Sequence, residues 1–180
     1  MLKNYLAKMR GITKSPPRVS AWEIFLSWVG SFLGIASVAL LNFRLLNEFD
    51  LVMIIGSFGA SAVLIYGAVK SPLAQPRNLI GGHVFSAFIG VIAFELFHND
   101  PCLAAPIAVA TSVAVMHATK TLHPPGGATA LIFVIGSDQI HALGFLYVLV
   151  PTAVGAAIML LVALIFNNVP KNRRYPEFWL

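Results

Sequence analysis

Six apolar runs, at about 21–41, 51–69, 79–97, 101–118, 119–137 and 142–166, fill most of this chain and are joined by short polar loops. A helix of about 20 apolar residues spans the hydrocarbon core of a bilayer, and most of these runs are near that length. Only 11% of the 180 residues are charged, against about 25% in an average soluble domain. The mean hydropathy is +0.81. A globule of this size has too much surface per volume to hide that apolar content, so lipid must cover it. The expectation is an all-α membrane protein with no soluble domain.

The formal net charge of +5 does not point to nucleic acid, because of where the cations lie. Lys3, Lys8, Arg10, Lys14 and Arg18 precede the first run, and Lys171, Arg173 and Arg174 follow the last. Such flanking cations anchor a membrane protein to anionic headgroups. The bilayer is therefore the expected partner, and no nucleic acid is. Within residues 1–20, Leu2, Tyr5, Leu6, Met9 and Ile12 recur at helical spacing among basic residues. They predict a basic amphipathic segment on the membrane surface, broken at Ser15-Pro16-Pro17. The first run is long and no small-residue cleavage site follows a short core, so it reads as a retained span. With no transit peptide in view, a bacterial cytoplasmic membrane is expected. The lone Cys102 permits neither an intramolecular disulfide nor a cysteine metal cluster.

The fifth run is interrupted by His123-Pro124-Pro125-Gly126-Gly127. Only Gly126 to Ser137 reads as a regular helix, about 18 Å at 1.5 Å per residue, which is short of a core of about 30 Å. Charge decides between crossing and re-entry. Six crossings with both termini inside leave eleven of the twelve Lys and Arg inside, Arg44 alone being outside, and put Glu48, Asp50, Asp100 and Asp138 outside. Making runs two and five re-entrant moves Lys70, Arg77 and Lys120 outside, against the positive-inside rule. The expectation is six crossings: a transmembrane domain over 21–168 and a cytoplasmic tail over 169–180.

Gly59-Ala60-Ser61-Ala62-Val63-Leu64 matches Gly127-Ala128-Thr129-Ala130-Leu131-Ile132 position by position, at an offset of 68 residues. Each stretch lies in the middle of a group of three runs. The chain thus reads as two three-segment repeats, 21–97 and 101–166, inverted in the membrane, with the middle segment of each broken into a half-helix. Inverted repeats with broken helices are a transporter signature. A small-residue packing stripe is the plainer reading of the same match.

The stretch Lys120 to Thr129 carries the chemistry. Two prolines remove donors and disfavour helix before them, and non-helical backbone at this depth needs a polar cavity or protein around it. A helix expected to start near Gly126 or Gly127 would point unpaired N–H groups back toward His123. Gly126 and Gly127 allow close approach and Thr129 adds a hydroxyl, which together suit a small anion. Ser57, Gly59 and Ser61 in the first repeat can build the inverted counterpart. A proline–glycine kink used for packing alone is the competing reading.

Here His123-Pro124-Pro125 followed by Gly127-Ala128-Thr129-Ala130 resembles the signature of the HPP family of integral membrane proteins. Ser71-Pro72-Leu73-Ala74-Gln75-Pro76-Arg77-Asn78 with Gly81-Gly82-His83, and Phe166-Asn167-Asn168, are similar to the family's other motifs. The resemblance covers roughly 21–168. Family members have usually been described with four spans, fewer than the six expected here. The resemblance implies transport, with chloroplast and cyanobacterial members associated with nitrite.

His123 could donate to an anion, exchange a proton or simply brace the chain break. His83, just after Gly81-Gly82, could face the same cavity. Lys120 and Arg77 are expected at the inner mouth, where they attract anions, snorkel or fix loops. Glu95 is expected near headgroups, and His98, His117 and His141 are assigned nothing. The expected function is passage of a small monovalent anion, nitrite or nitrate, without cofactor, catalysis or an ATPase motif. The alternatives are a scaffold built on small-residue stripes, or a metalloenzyme using His83, His117, His123 and Glu95, which lack close helical ligand spacing. A bundle this small is expected to form a homo-oligomer.

Overall fold

The computed structural model describes residues 2–10, 12–46, 52–97 and 99–180. Glu48, Asp50 and His98 fall outside the described residues, as does the side chain of Leu2. The described residues are helical with no strand: α1 Leu2–Lys8, α2 Ala21–Leu41, α3 Gly56–Ala62, α4 Pro76–Phe97, α5 Pro101–Ala118, α6 Pro124–Val134, α7 Asp138–Ala142 and α8 Val154–Phe166. Wider π-helical turns extend α2 through Leu46 and α3 through Gly67, and lead into α8 from Val148.

Each start has a local cause. Ser20 caps α2 by accepting from the Glu23 N–H at 3.1 Å, and Asp100 caps α5 by accepting from Leu103 at 3.1 Å; both are favoured N-cap residues. Pro76, Pro101 and Pro124 occupy first helical positions, where a missing N–H costs nothing and φ is already helical. For α6 this moves the start to Pro124, two or three residues earlier than Gly126 or Gly127.

Among the described residues, four helical stretches are long and apolar enough to cross a membrane: Ala21–Arg44, Pro76–Phe97, Pro101–Ala118 and Val148–Phe166. Gly56–Gly67 and Pro124–Val134 are shorter apolar helices, about 18 and 16 Å long at 1.5 Å per residue. The sixth run departs from the single expected span over 142–166. It turns at Gly144 (φ 49°), and Val150, at φ −128° and ψ 117° before Pro151, breaks the helix again. The residue before a proline is driven toward extended backbone.

The two short helices lie against one another in opposite directions. Gly56 approaches Ile132, Ser57 bonds Thr129 and Ser61 bonds His123, so one chain descends as the other climbs. By contrast α4 and α6 run parallel. Gly82 meets His123 and Gly126, and Gly90 meets Ala130, while Ala93 and Val134 share one apolar cluster.

The tail ties one end of the bundle together. Arg173, 7% exposed, forms an ion pair with Glu23 at 2.7 Å and donates to the Tyr66 carbonyl, Asn167 Oδ1 and Ser27 Oγ. Tyr175 Oη donates to the Ala74 carbonyl at 2.7 Å, and the Glu177 N–H to Gln75 Oε1 at 2.8 Å. Lys70, Arg77, Lys120, Lys171 and Arg174 lie at this end too, while Arg44 lies at the far end of α2. Tyr5, Leu6, Met9 and Ile12, from α1 and its flank, are exposed.

Candidate functional site

Five predicted side chains meet between α3, α4 and α6, all buried: Ser57, Ser61, His83, His123 and Thr129. Ser61 Oγ lies 2.7 Å from His83 Nε2 and 2.9 Å from His123 Nε2. On the other edge of His83, Nδ1 lies 2.7 Å from Thr129 Oγ1, which is 2.8 Å from Ser57 Oγ and 3.2 Å from the Pro125 carbonyl. His123 Nδ1 lies 2.7 Å from the Leu73 carbonyl, so it is the donor. The two imidazoles meet edge to face, 5.0 Å between centroids, and Phe58 presents a T-shaped contact to His83 at 5.3 Å.

Backbone proximity builds this arrangement. A Cβ on Gly82 would fall 2.5 Å from His123 Cβ, and one on Gly126 would fall 2.5 Å from the Gly82 carbonyl oxygen. Only glycine at both positions lets α6 start directly against α4, where His83 can reach Thr129. Asn78 steadies the approach by donating to the Leu122 carbonyl at 2.9 Å.

The remaining predicted residues are placed differently. Gly126 is in the site, but its N–H donates to the His123 carbonyl at 2.8 Å, and the two preceding positions are prolines. The open amides expected at this helix start are thus removed or engaged. Gly127 is buried, and a Cβ there would meet Val109 at 3.8 Å; Gly59 is exposed, and a Cβ there would meet nothing within 4 Å. Arg77 donates to the Thr119 carbonyl at 2.7 Å, holding the end of α5. Lys120 is exposed at φ 56°. A cleft of about 320 Å³ at the tail end is lined by Lys70, Ser71, Glu23, Arg173 and Arg174 among others. Ser71 brings this cleft within two residues of Leu73.

His117 and Glu95 are exposed, whereas His83 and His123 are buried. Among the described residues no group of three or more His, Cys, Asp and Glu is placed to hold a metal. His141 stacks on Phe94 at 4.0 Å and bonds the Phe133 carbonyl at 2.9 Å, a bracing role. Sequence reasoning missed Tyr147, whose hydroxyl donates to the Thr129 carbonyl at 3.0 Å, and the Leu73 carbonyl. A phenol inside an apolar run is a usable signal for the first, since a buried hydroxyl needs a partner. No residue type signals a backbone carbonyl. Ser86, buried and without a hydrogen-bond partner among the described residues, also borders Gly126.

A Dictyostelium discoideum protein described only as a transmembrane protein is 49% identical over 178 residues, covering 97% of this chain and 57% of its own length. A second from the same organism, described in the same words, is 47% identical over 172 residues, covering 94% of this chain and 60% of its own. The chain thus spans under two thirds of the length of the curated relatives it matches. No solved structure matches it. The profile of the HPP transmembrane region matches residues 16–176, and on that match the chain belongs to the HPP transmembrane family.

Proposed function

We propose that this chain is a non-enzymatic pathway for a small monovalent anion, nitrite or nitrate. It crosses the membrane six times as two inverted three-segment repeats, with both termini on the cytoplasmic side of a cell membrane. The observation that carries the reading is the buried junction of two oppositely directed half-helices, where Ser57 and Ser61 of one meet His123 and Thr129 of the other. A packing stripe has no use for buried hydroxyls and imidazoles, which are costly away from water unless bonded. The repeat reading draws further support from packing: α2 lies against α8 as α5 lies against α4. The first segment of each half thus meets the last segment of the other.

In the closed arrangement each of these polar groups is partnered and buried. An anion passing the junction would take over hydrogen bonds that the hydroxyls and imidazole N–H groups now make to each other. Lys70, Arg174, Lys120 and Arg77 give the tail end a positive field that draws anions in.

The test is anion entry into proteoliposomes, with nitrite, nitrate, formate, chloride and bicarbonate compared, and His123→Ala and Thr129→Val beside the parent. Selective nitrite or nitrate entry that both substitutions diminish is expected. Flux indifferent to both moves the pathway away from the junction. No flux of any anion through folded protein overturns the transport reading and favours a scaffold.

A further inference from the structure

The hydrogens of the buried junction can be placed by elimination. A backbone carbonyl only accepts, so the Leu73 carbonyl makes His123 Nδ1 a donor. Neutral His123 then has a bare Nε2, which must accept from the Ser61 hydroxyl. Ser61 has a single proton, so its oxygen accepts from His83 Nε2–H. His83 Nδ1 is therefore bare and takes the Thr129 hydroxyl proton, which leaves the Thr129 oxygen facing Ser57 Oγ at 2.8 Å.

With one proton more, each link downstream of the Leu73 carbonyl reverses. His123 carries both N–H groups, Ser61 donates to His83 Nε2, His83 Nδ1–H donates to Thr129, and Thr129 donates to Ser57 Oγ at 2.8 Å. Both arrangements satisfy both imidazoles and the Ser61 and Thr129 hydroxyls without moving a heavy atom. They differ by one proton.

We propose that Ser57, Thr129, His83, Ser61 and His123 form a proton relay through the middle of the bundle, and that a proton travels with the anion. The proposal rests on the transport reading above. A proton arriving at Ser57 Oγ displaces the Ser57 proton to Thr129. The Thr129 proton moves to His83 Nδ1, the His83 Nε2 proton to Ser61, and the Ser61 proton to His123 Nε2. His123 then releases its Nδ1 proton toward the tail end as it leaves the Leu73 carbonyl. One proton enters and one leaves; both imidazoles end in the opposite tautomer, and the ring and hydroxyl protons turn back before the next proton passes.

The direction follows from the fold. Thr129 lies six residues along α6 from His123, about 9 Å at 1.5 Å per residue. The relay therefore runs along the helix axis, from Ser57 on the far side to His123 on the tail side. Coupling follows from charge. The partners of the two rings are uncharged: the Leu73 carbonyl from the loop before α4, Ser61 from α3 and Thr129 from α6. The two rings face each other at 5.0 Å between centroids, and the Tyr147 hydroxyl bonds the Thr129 carbonyl beside them. A protonated imidazole buried among such partners is strongly disfavoured. A monovalent anion beside it cancels the charge, so each makes the other's entry easier.

The experiment uses proteoliposomes with a trapped pH dye, the membrane potential clamped by potassium and valinomycin, and an inward gradient of whichever of nitrite and nitrate the parent carries. Protein-free vesicles give the background from the free acid. The parent is expected to acidify the lumen in step with anion entry, by about one proton per anion. Ser61→Ala, which cuts the link between the imidazoles, should lower acidification to background, and Ser61→Thr, which keeps a hydroxyl, should retain it. If Ser61→Ala does not fold, Ser57→Ala at the far end of the relay decides and should also bring acidification to background. Anion entry without acidification in the parent, or undiminished acidification in the deciding variant, overturns the relay and leaves transport standing. No anion entry in the parent overturns both.

Discussion

Gly82 and Gly126 set how closely α6 approaches α4, and their neighbours allow no give. The atoms facing a new Cβ on Gly126 are the Gly82 carbonyl oxygen at 2.5 Å and Ser86 Oγ at 2.8 Å, and a helix backbone cannot swing aside as a flexible side chain can. Gly126→Ala is expected to destabilise by about 1–3 kcal/mol, the usual cost of overpacking. Gly127→Ala, with its nearest atom at 3.8 Å, should stay within about 0.5 kcal/mol of the parent. Thermal unfolding of the two variants in detergent compares them directly, and equal losses would refute the close-approach account. Tyr147→Phe removes a buried bond to the Thr129 carbonyl and should cost about 1 kcal/mol in the same assay. The adjacent glycines of the 123–127 motif look equivalent in sequence. Their roles diverge because one faces α4 and the other does not.

At the scale of elements, helix ends were legible in part: the third run, 79–97, begins three residues inside α4, and the helix expected from Gly126 or Gly127 begins two or three residues inside α6. Proline and cap residues mark where α2, α4 and α5 begin, and the fourth run, 101–118, coincides with α5. The sixth run was not legible as two pieces, because unbroken hydropathy masks a backbone turn at Gly144 and a break at Val150. The tail also reads differently in three dimensions. Arg173 looked like one of three juxtamembrane cations, yet it is the buried link between the start of α2 and the end of α8. Arg173→Met keeps the length of the side chain but strands Glu23, the Tyr66 carbonyl and Asn167 without their donor. A loss of about 2–3 kcal/mol is expected, read as a lower unfolding temperature in detergent. Lys171→Met, at an exposed position, should change little. If the two variants behave alike, Arg173 is not the link described.

The whole molecule places its single cysteine usefully. Cys102 is exposed at the start of α5, and Arg77 holds the other end of that helix at the tail side. If the tail side is cytoplasmic, a membrane-impermeant maleimide should label Cys102 on intact cells, and Cys102→Ser should abolish the signal. Labelling that appears only after permeabilisation would mean the opposite orientation. The same geometry implies that residues 1–18, exposed throughout where described, add little to the fold. Their deletion should leave the unfolding temperature unchanged while weakening binding to vesicles of anionic lipid.

Membrane residence, the helical class and the break at His123-Pro124-Pro125 were readable from residue order. They rest on local physics: the length of apolar runs and missing proline donors. Contact between Ser61 and His123, 62 positions apart, the capture of His123 by the Leu73 carbonyl, and the closure of the α6 amides were not readable. Each depends on how helices with nearly featureless apolar surfaces settle against one another. That is decided by small-residue close approach and by the need to partner every buried polar group, two conditions that act between distant segments and leave no periodic trace along the chain.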